Sequence, residues 1–79
     1  MDTMELIRAA ILKVDPSKAP KLATLTPATE IRDLGLDSVA TMEMVGELEE
    51  KLGANFADED MIRIQTFGDL GRLVDQLRK

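Results

Sequence analysis

The hydroxyl of Ser38, preceded by Asp33-Leu34-Gly35-Leu36-Asp37, is the reactive group with the most specific setting in this chain of 79 residues. Asp37 is of the type that closes a helix N-terminus, its carboxylate accepting orphan N–H groups of the first turn, and helical periodicity follows from Ser38 to Leu52. A hydroxyl there has two chemical uses. As a nucleophile it needs an activating base and an oxyanion site. The chain has no histidine, no cysteine and no Gly-x-Ser-x-Gly elbow, so the bare polypeptide is not expected to be an enzyme. As an attachment point it needs only to be reachable, and a phosphodiester joined to it would lie beside free N–H groups at the positive end of the helix dipole. Asp-Ser is also an ordinary way to start a helix, and on those two residues alone that plainer reading is the commoner one. No metal site is expected, because Asp58-Glu59-Asp60 lacks the alternating ligand spacing of a calcium loop.

The elements that must present this serine are helical. Asp2 with Glu5 three residues later has the form of a capping box, and Ile7, Ala10, Ile11 and Val14 recur at helical spacing, which predicts a first helix over 3–14. It must end by Asp15-Pro16, since a residue before proline is disfavoured in the helical region. From there to Asp37 the spacing predicts a long ordered loop, with Pro16, Pro20 and Pro27 as turn-formers and a short helical turn around Lys18 to Leu22. Leu22, Leu25, Ile31 and Leu34 are expected to hold that loop against the core. The second helix, from Ser38, should stop at Gly53 in a left-handed cap. A short third helix is predicted over Asp58 to Arg63, with acids in its first turn. Thr66 and Asp69 form a second box ahead of a last helix whose apolar face is Phe67, Leu70, Leu73, Val74 and Leu77, with Arg78 and Lys79 at its C-terminus. No strand-like alternation is present. The expectation is an all-α fold: a small bundle of three long helices and one short one, forming a single domain over residues 1–79.

Composition narrows the function. With 44% hydrophobic and 32% charged residues the chain has enough apolar side chains for a core and is too polar to be membrane-embedded. No run approaches the length of a transmembrane span, the first residues do not show a basic segment followed by an apolar stretch and a cleavage site, and a cytoplasmic location is expected. The net charge of −5 hides a sharper asymmetry: residues 30 to 60 hold ten acids against two bases, while the remainder carries an excess of bases. Such an acidic middle repels nucleic acid and anionic lipid and steers basic protein patches toward it. For any single acid, solubility is the simpler explanation. Their concentration around Ser38 favours a partner.

At 100° per residue the second helix sorts into two faces. Thr41, Met44, Val45, Leu48 and Leu52 should form the core side. Val39, Met42, Glu43, Gly46, Glu49 and Glu50 gather opposite, two apolar side chains beside Ser38 in a field of carboxylates, which is the layout of a greasy docking centre with a charged rim. Gly46 costs such a helix about 1 kcal/mol relative to alanine, so either a partner comes close there or the loss is tolerated.

The order of these motifs, from the first helix through Asp33-Leu34-Gly35-Leu36-Asp37-Ser38 to Thr66-Phe67-Gly68-Asp69-Leu70, resembles the acyl carrier protein family over essentially the whole chain. The resemblance implies that Ser38 is the attachment residue for 4′-phosphopantetheine, taken from coenzyme A, whose distal thiol carries acyl groups as thioesters. It implies that Asp37 is the acid which the phosphopantetheinyl transferase meets just before the serine. Glu43, Glu49, Glu50, Asp58 and Glu59 match acidic recognition positions, and Val39 and Met42 match apolar contacts flanking the serine. Partners would be that transferase together with acyltransferases, ketosynthases and other acyl-processing enzymes, met by a monomer, with neither nucleic acid nor membrane involved.

Departures from the family's fatty acid synthesis members lie on the partner-reading surface. Val39 and Ala40 stand where those carriers usually have leucine and an acid, Gly46 replaces a larger apolar contact, Lys51 interrupts the acidic run, and the segment from Val14 to Thr29 is longer and richer in proline. The resemblance therefore points to a specialised carrier for a polyketide or another dedicated acyl pathway, with primary fatty acid synthesis as the alternative. Peptidyl carriers usually have a Gly-Gly pair ending two residues before the serine, whereas Leu36 occupies that position here. A different class remains open: an unmodified acidic helical adaptor for a basic protein. Five methionines with only Phe56 and Phe67 as aromatics suggest an adaptable core that could shelter an acyl chain.

Overall fold

A computed structural model of the chain describes residues 2–78, and Lys79 lies outside the described residues. Helix α1 spans Thr3–Val14, opened by the Asp2 carboxylate, which accepts the Glu5 N–H at 2.8 Å. Asp15 closes it in an extended conformation ahead of Pro16 and then starts a 3-10 turn, Pro16–Lys18, by accepting the Ser17 N–H and hydroxyl. A four-residue helix α2, Ala19–Leu22, follows directly. Helix α3 is Ser38–Leu52, α4 is Asp58–Arg63 and α5 is Phe67–Arg78. Among the described residues there is no strand, and no helix is long and apolar enough to cross a membrane.

Three helices share one core. Ile7, Ala10 and Ile11 of α1 meet Met44, Val45 and Leu48 of α3, and Phe67, Leu70 and Val74 of α5 close the third side. Leu22, Leu25, Ile31 and Leu34 from the long loop are buried with them, so the loop packs down as the spacing of its apolar residues predicts. Thr41 and Leu52 are only half-buried, at the edge of the α3 core face, and the Thr41 hydroxyl turns back to the Asp37 carbonyl at 2.8 Å. At the far ends of α1 and α5, Thr3 donates to Asp75 and accepts from Arg78, tying the first helix to the last.

The loop holds more structure than the sequence pattern indicates. Ile31–Leu34 forms a second 3-10 turn inside the Asp33-to-Ser38 motif, and Glu30 and Thr66 make an isolated antiparallel bridge. Three backbone bonds dock residues 27–31 on 65–68: Ile31 N–H to Gln65 O at 2.9 Å, Phe67 N–H to Thr29 O at 3.0 Å, and Gly68 N–H to Pro27 O at 2.8 Å. Backbone groups alone make these bonds, and no residue type signals them from a distance of over 30 positions. The docking matters for the site because it anchors the turn that leads into Ser38.

Candidate functional site

Four consecutive features deliver the Ser38 hydroxyl to the surface. The 3-10 turn buries Ile31 and Leu34, Gly35 reverses the chain at a φ of +84°, Leu36 tucks partly under, and Asp37 is extended at the helix mouth. A positive φ suits glycine because it has no Cβ to clash. Asp37 Oδ1 accepts the Ala40 N–H at 2.7 Å and its carbonyl accepts the Thr41 N–H at 2.9 Å, which is the cap that the Asp-Ser order predicts. Ser38 is therefore the first residue of α3, exposed, and its side chain makes no hydrogen bond to any described residue. Its own N–H and that of Val39 sit in the open first turn, where a helix has no internal acceptors to offer.

The outward face of α3 carries what the sequence places there. Val39 is 65% and Met42 75% exposed, and Glu43, Gly46 and Glu50 face solvent with them. A Cβ added to Gly46 would meet nothing within 4 Å, so no contact inside the chain requires glycine at that position. Asp58 and Glu59 are exposed in the first turn of α4, whose N-cap, Ala57, offers no side-chain cap.

One expectation for this face needs correction. Glu49 is half-buried, and its carboxylate turns inward to accept the Phe56 N–H at 2.8 Å. Phe56 is buried, and the segment after Gly53 needs an acceptor for the amide that positions it, so Glu49 is a brace between α3 and the approach to α4. Glu47 is likewise drawn aside, paired with Lys13 of α1 at 3.1 Å, and that carboxylate raises the lysine pKa above its ordinary value.

Between α3 and α4 lies a groove of about 430 Å³ lined by Thr41, Met42, Val45, Phe56, Met61 and Ile62, with Glu49 and Asp58 at its edge. Ile62, 83% exposed, is the apolar residue that sequence reasoning missed. A signal was present: Met61 and Ile64 pack against the core, and at 100° per residue Ile62 between them must project outward. Together with Val39 and Met42 it extends the apolar part of the surface across two helices.

The opposite end of α4 is held by the box predicted from Thr66 and Asp69. Asp69 N–H donates to Thr66 Oγ1 at 3.1 Å while Asp69 Oδ2 accepts the Gln65 and Thr66 N–H groups at 3.1 Å each. Those backbone donors, more than nearby Arg72, hold the Asp69 carboxyl below the usual carboxylate range. Compared with known protein families, the model of the phosphopantetheine attachment site matches residues 4–74 of this chain.

Proposed function

The chain belongs to the phosphopantetheine attachment site family, and from that premise we propose that Ser38 is the residue which receives the arm. It is a carrier and not an enzyme, and the family's prosthetic group is covalently attached 4′-phosphopantetheine. The group, when bound, supplies a flexible arm ending in a thiol that holds acyl groups as thioesters. The residues present suit it: an exposed hydroxyl with no hydrogen bond to any described residue, and open first-turn N–H groups beside it. That free hydroxyl on a rigidly capped helix end is the observation that carries the proposal.

The remaining residues serve delivery. Asp37 fixes the helix mouth and so the position of the serine, and its charge marks the site for the transferase. Val39 and Met42 form the apolar centre of a docking surface, with Glu43, Glu50, Asp58 and Glu59 as its acidic rim and Gly46 allowing close approach of a partner. Glu49 contributes to that rim while bracing Phe56. The groove between α3 and α4 is the place this reading gives to the start of a loaded acyl chain. A dedicated pathway, for a polyketide or another specialised acyl product, is supported by Val39, Ala40, Gly46 and Lys51, where the chain departs from the pattern of the fatty acid synthesis carriers. The partners are the transferase and acyl-processing enzymes such as acyltransferases and ketosynthases.

Intact mass spectrometry after incubation with coenzyme A and a broad-specificity phosphopantetheinyl transferase tests the assignment. The wild-type chain should gain one arm and Ser38→Ala none. Equal labelling of the alanine variant would refute Ser38 as the attachment residue.

A further inference from the structure

The mouth of α3 is already answered by a carboxylate, since Asp37 occupies the Ala40 N–H. A phosphodiester on Ser38 thus has a negative neighbour as well as a helix dipole, and the dipole alone is a partial accommodation. Cations reach this region from the loop. A Cβ built on Gly35 would lie 3.1 Å from Lys18 Nζ and 3.5 Å from Lys21 Nζ. The two ammonium groups are therefore neighbours over the bare backbone of a residue three positions before Ser38, and any side chain at Gly35 would intrude on them.

Among the described residues neither lysine is in an ion pair. Asp15, the carboxylate whose pKa Lys18 helps to lower, is engaged first by the Ser17 hydroxyl and N–H. Two like charges converging with no carboxylate between them repel, and an anion placed there relieves that repulsion. Three residues of chain span at most about 11 Å, and the flexible stem of lysine sweeps the rest of the interval.

We propose that Lys18 and Lys21 form a seat for the phosphodiester at the root of the arm, an assignment that rests on Ser38 being the attachment residue. Tethering makes a two-lysine seat sufficient. A ligand held on a short link has an effective concentration on the order of millimolar, so contacts too weak to retain free phosphate are populated once the group is covalently attached. The seat gives the root of the arm a preferred heading, toward the loop that carries α2.

The test is a thermal-melting cycle on apo and holo forms of the wild type and of the Lys18→Gln/Lys21→Gln double variant, with the arm located on Ser38 by peptide mass spectrometry. The rise in Tm from apo to holo should be about 2–4 °C smaller in the double variant. The phosphorus-31 resonance of the diester should differ between the two holo proteins, and both effects should shrink toward 1 M salt. The cycle subtracts any effect of the lost charges on the apo fold. An apo-to-holo change in Tm and a phosphorus resonance that are the same in both proteins would overturn the seat while leaving Ser38 as the attachment residue. An arm found elsewhere than Ser38 would remove both assignments. Inorganic phosphate added to the apo wild type should leave Tm nearly unchanged at low millimolar concentration, and a shift as large as the arm produces would overturn the tethered seat in favour of a general anion site.

Discussion

Gly68→Ala should destabilise this protein even though alanine is the better helix former. Gly68 is the second residue of α5, and a Cβ there would stand 2.9 Å from the Pro27 carbonyl oxygen and 3.3 Å from Pro27 Cβ. That oxygen cannot simply retreat, because it accepts the Gly68 N–H at 2.8 Å and belongs to the set of bonds joining residues 27–31 to 65–68. Overpacking of this kind costs about 1–3 kcal/mol, and losing the bond would add roughly 1 kcal/mol. Helix propensity returns at most about 1 kcal/mol. The net loss is about 2 kcal/mol, which for a domain of this size lowers Tm by roughly 8–16 °C. Gly46→Ala is the matched control: its Cβ meets nothing within 4 Å, so only propensity acts and Tm should rise, by about 4–8 °C at most. Far-ultraviolet circular dichroism melts of both variants decide the matter. Should Gly68→Ala melt at or above the wild type, the loop is not clamped to α5 in the way described, and the anchoring of the turn before Ser38 would need another explanation.

Three further outcomes follow from the caps and the exposed face. Asp37→Ala removes the acceptor of the Ala40 N–H and should cost about 0.5–2 kcal/mol in urea unfolding, with Asp37→Asn retaining most of the stability; equal loss in both would assign the effect to charge rather than capping. Asp69→Asn replaces with a neutral amide a carboxylate whose pKa is lowered by folding; the carboxylate's contribution is present above the unfolded value and disappears as pH falls through the folded one. The stability gap between wild type and variant should therefore hold at neutral pH and close below about pH 4, and a gap independent of pH would refute the charge-based cap. Ile62→Ser, at an 83% exposed position, should leave Tm within a degree or two yet weaken partner association several-fold in a binding titration, and unchanged affinity would remove Ile62 from the docking surface.

Much of the architecture was legible because its signals are local. Asp2, Asp37, Thr66 with Asp69, and Gly53 each act on backbone groups within four residues, so helix ends could be placed from residue types alone. Apolar spacing likewise assigned Met44, Val45 and Leu48 to the core and left Val39 and Met42 outside. The setting of the hydroxyl was legible for the same reason, since a cap and the residue after it are sequence neighbours.

Other features arise only when distant segments meet. The fate of Glu49 depended on where the Phe56 N–H came to rest, a separation of seven residues across a helix end. The turn over Ile31–Leu34 depended on backbone bonds to residues near α5, which any residue other than proline could donate. The meeting of Lys18 and Lys21 over Gly35 depended on how the loop folds back before α3. From its sequence alone, this protein had its helices, its core faces and the residue at the mouth of α3 determined, because those rest on interactions within one turn. Tertiary structure decided which charges remain outward, where the loop is fastened and what surrounds the serine, because those depend on contacts between segments whose residue types do not announce one another.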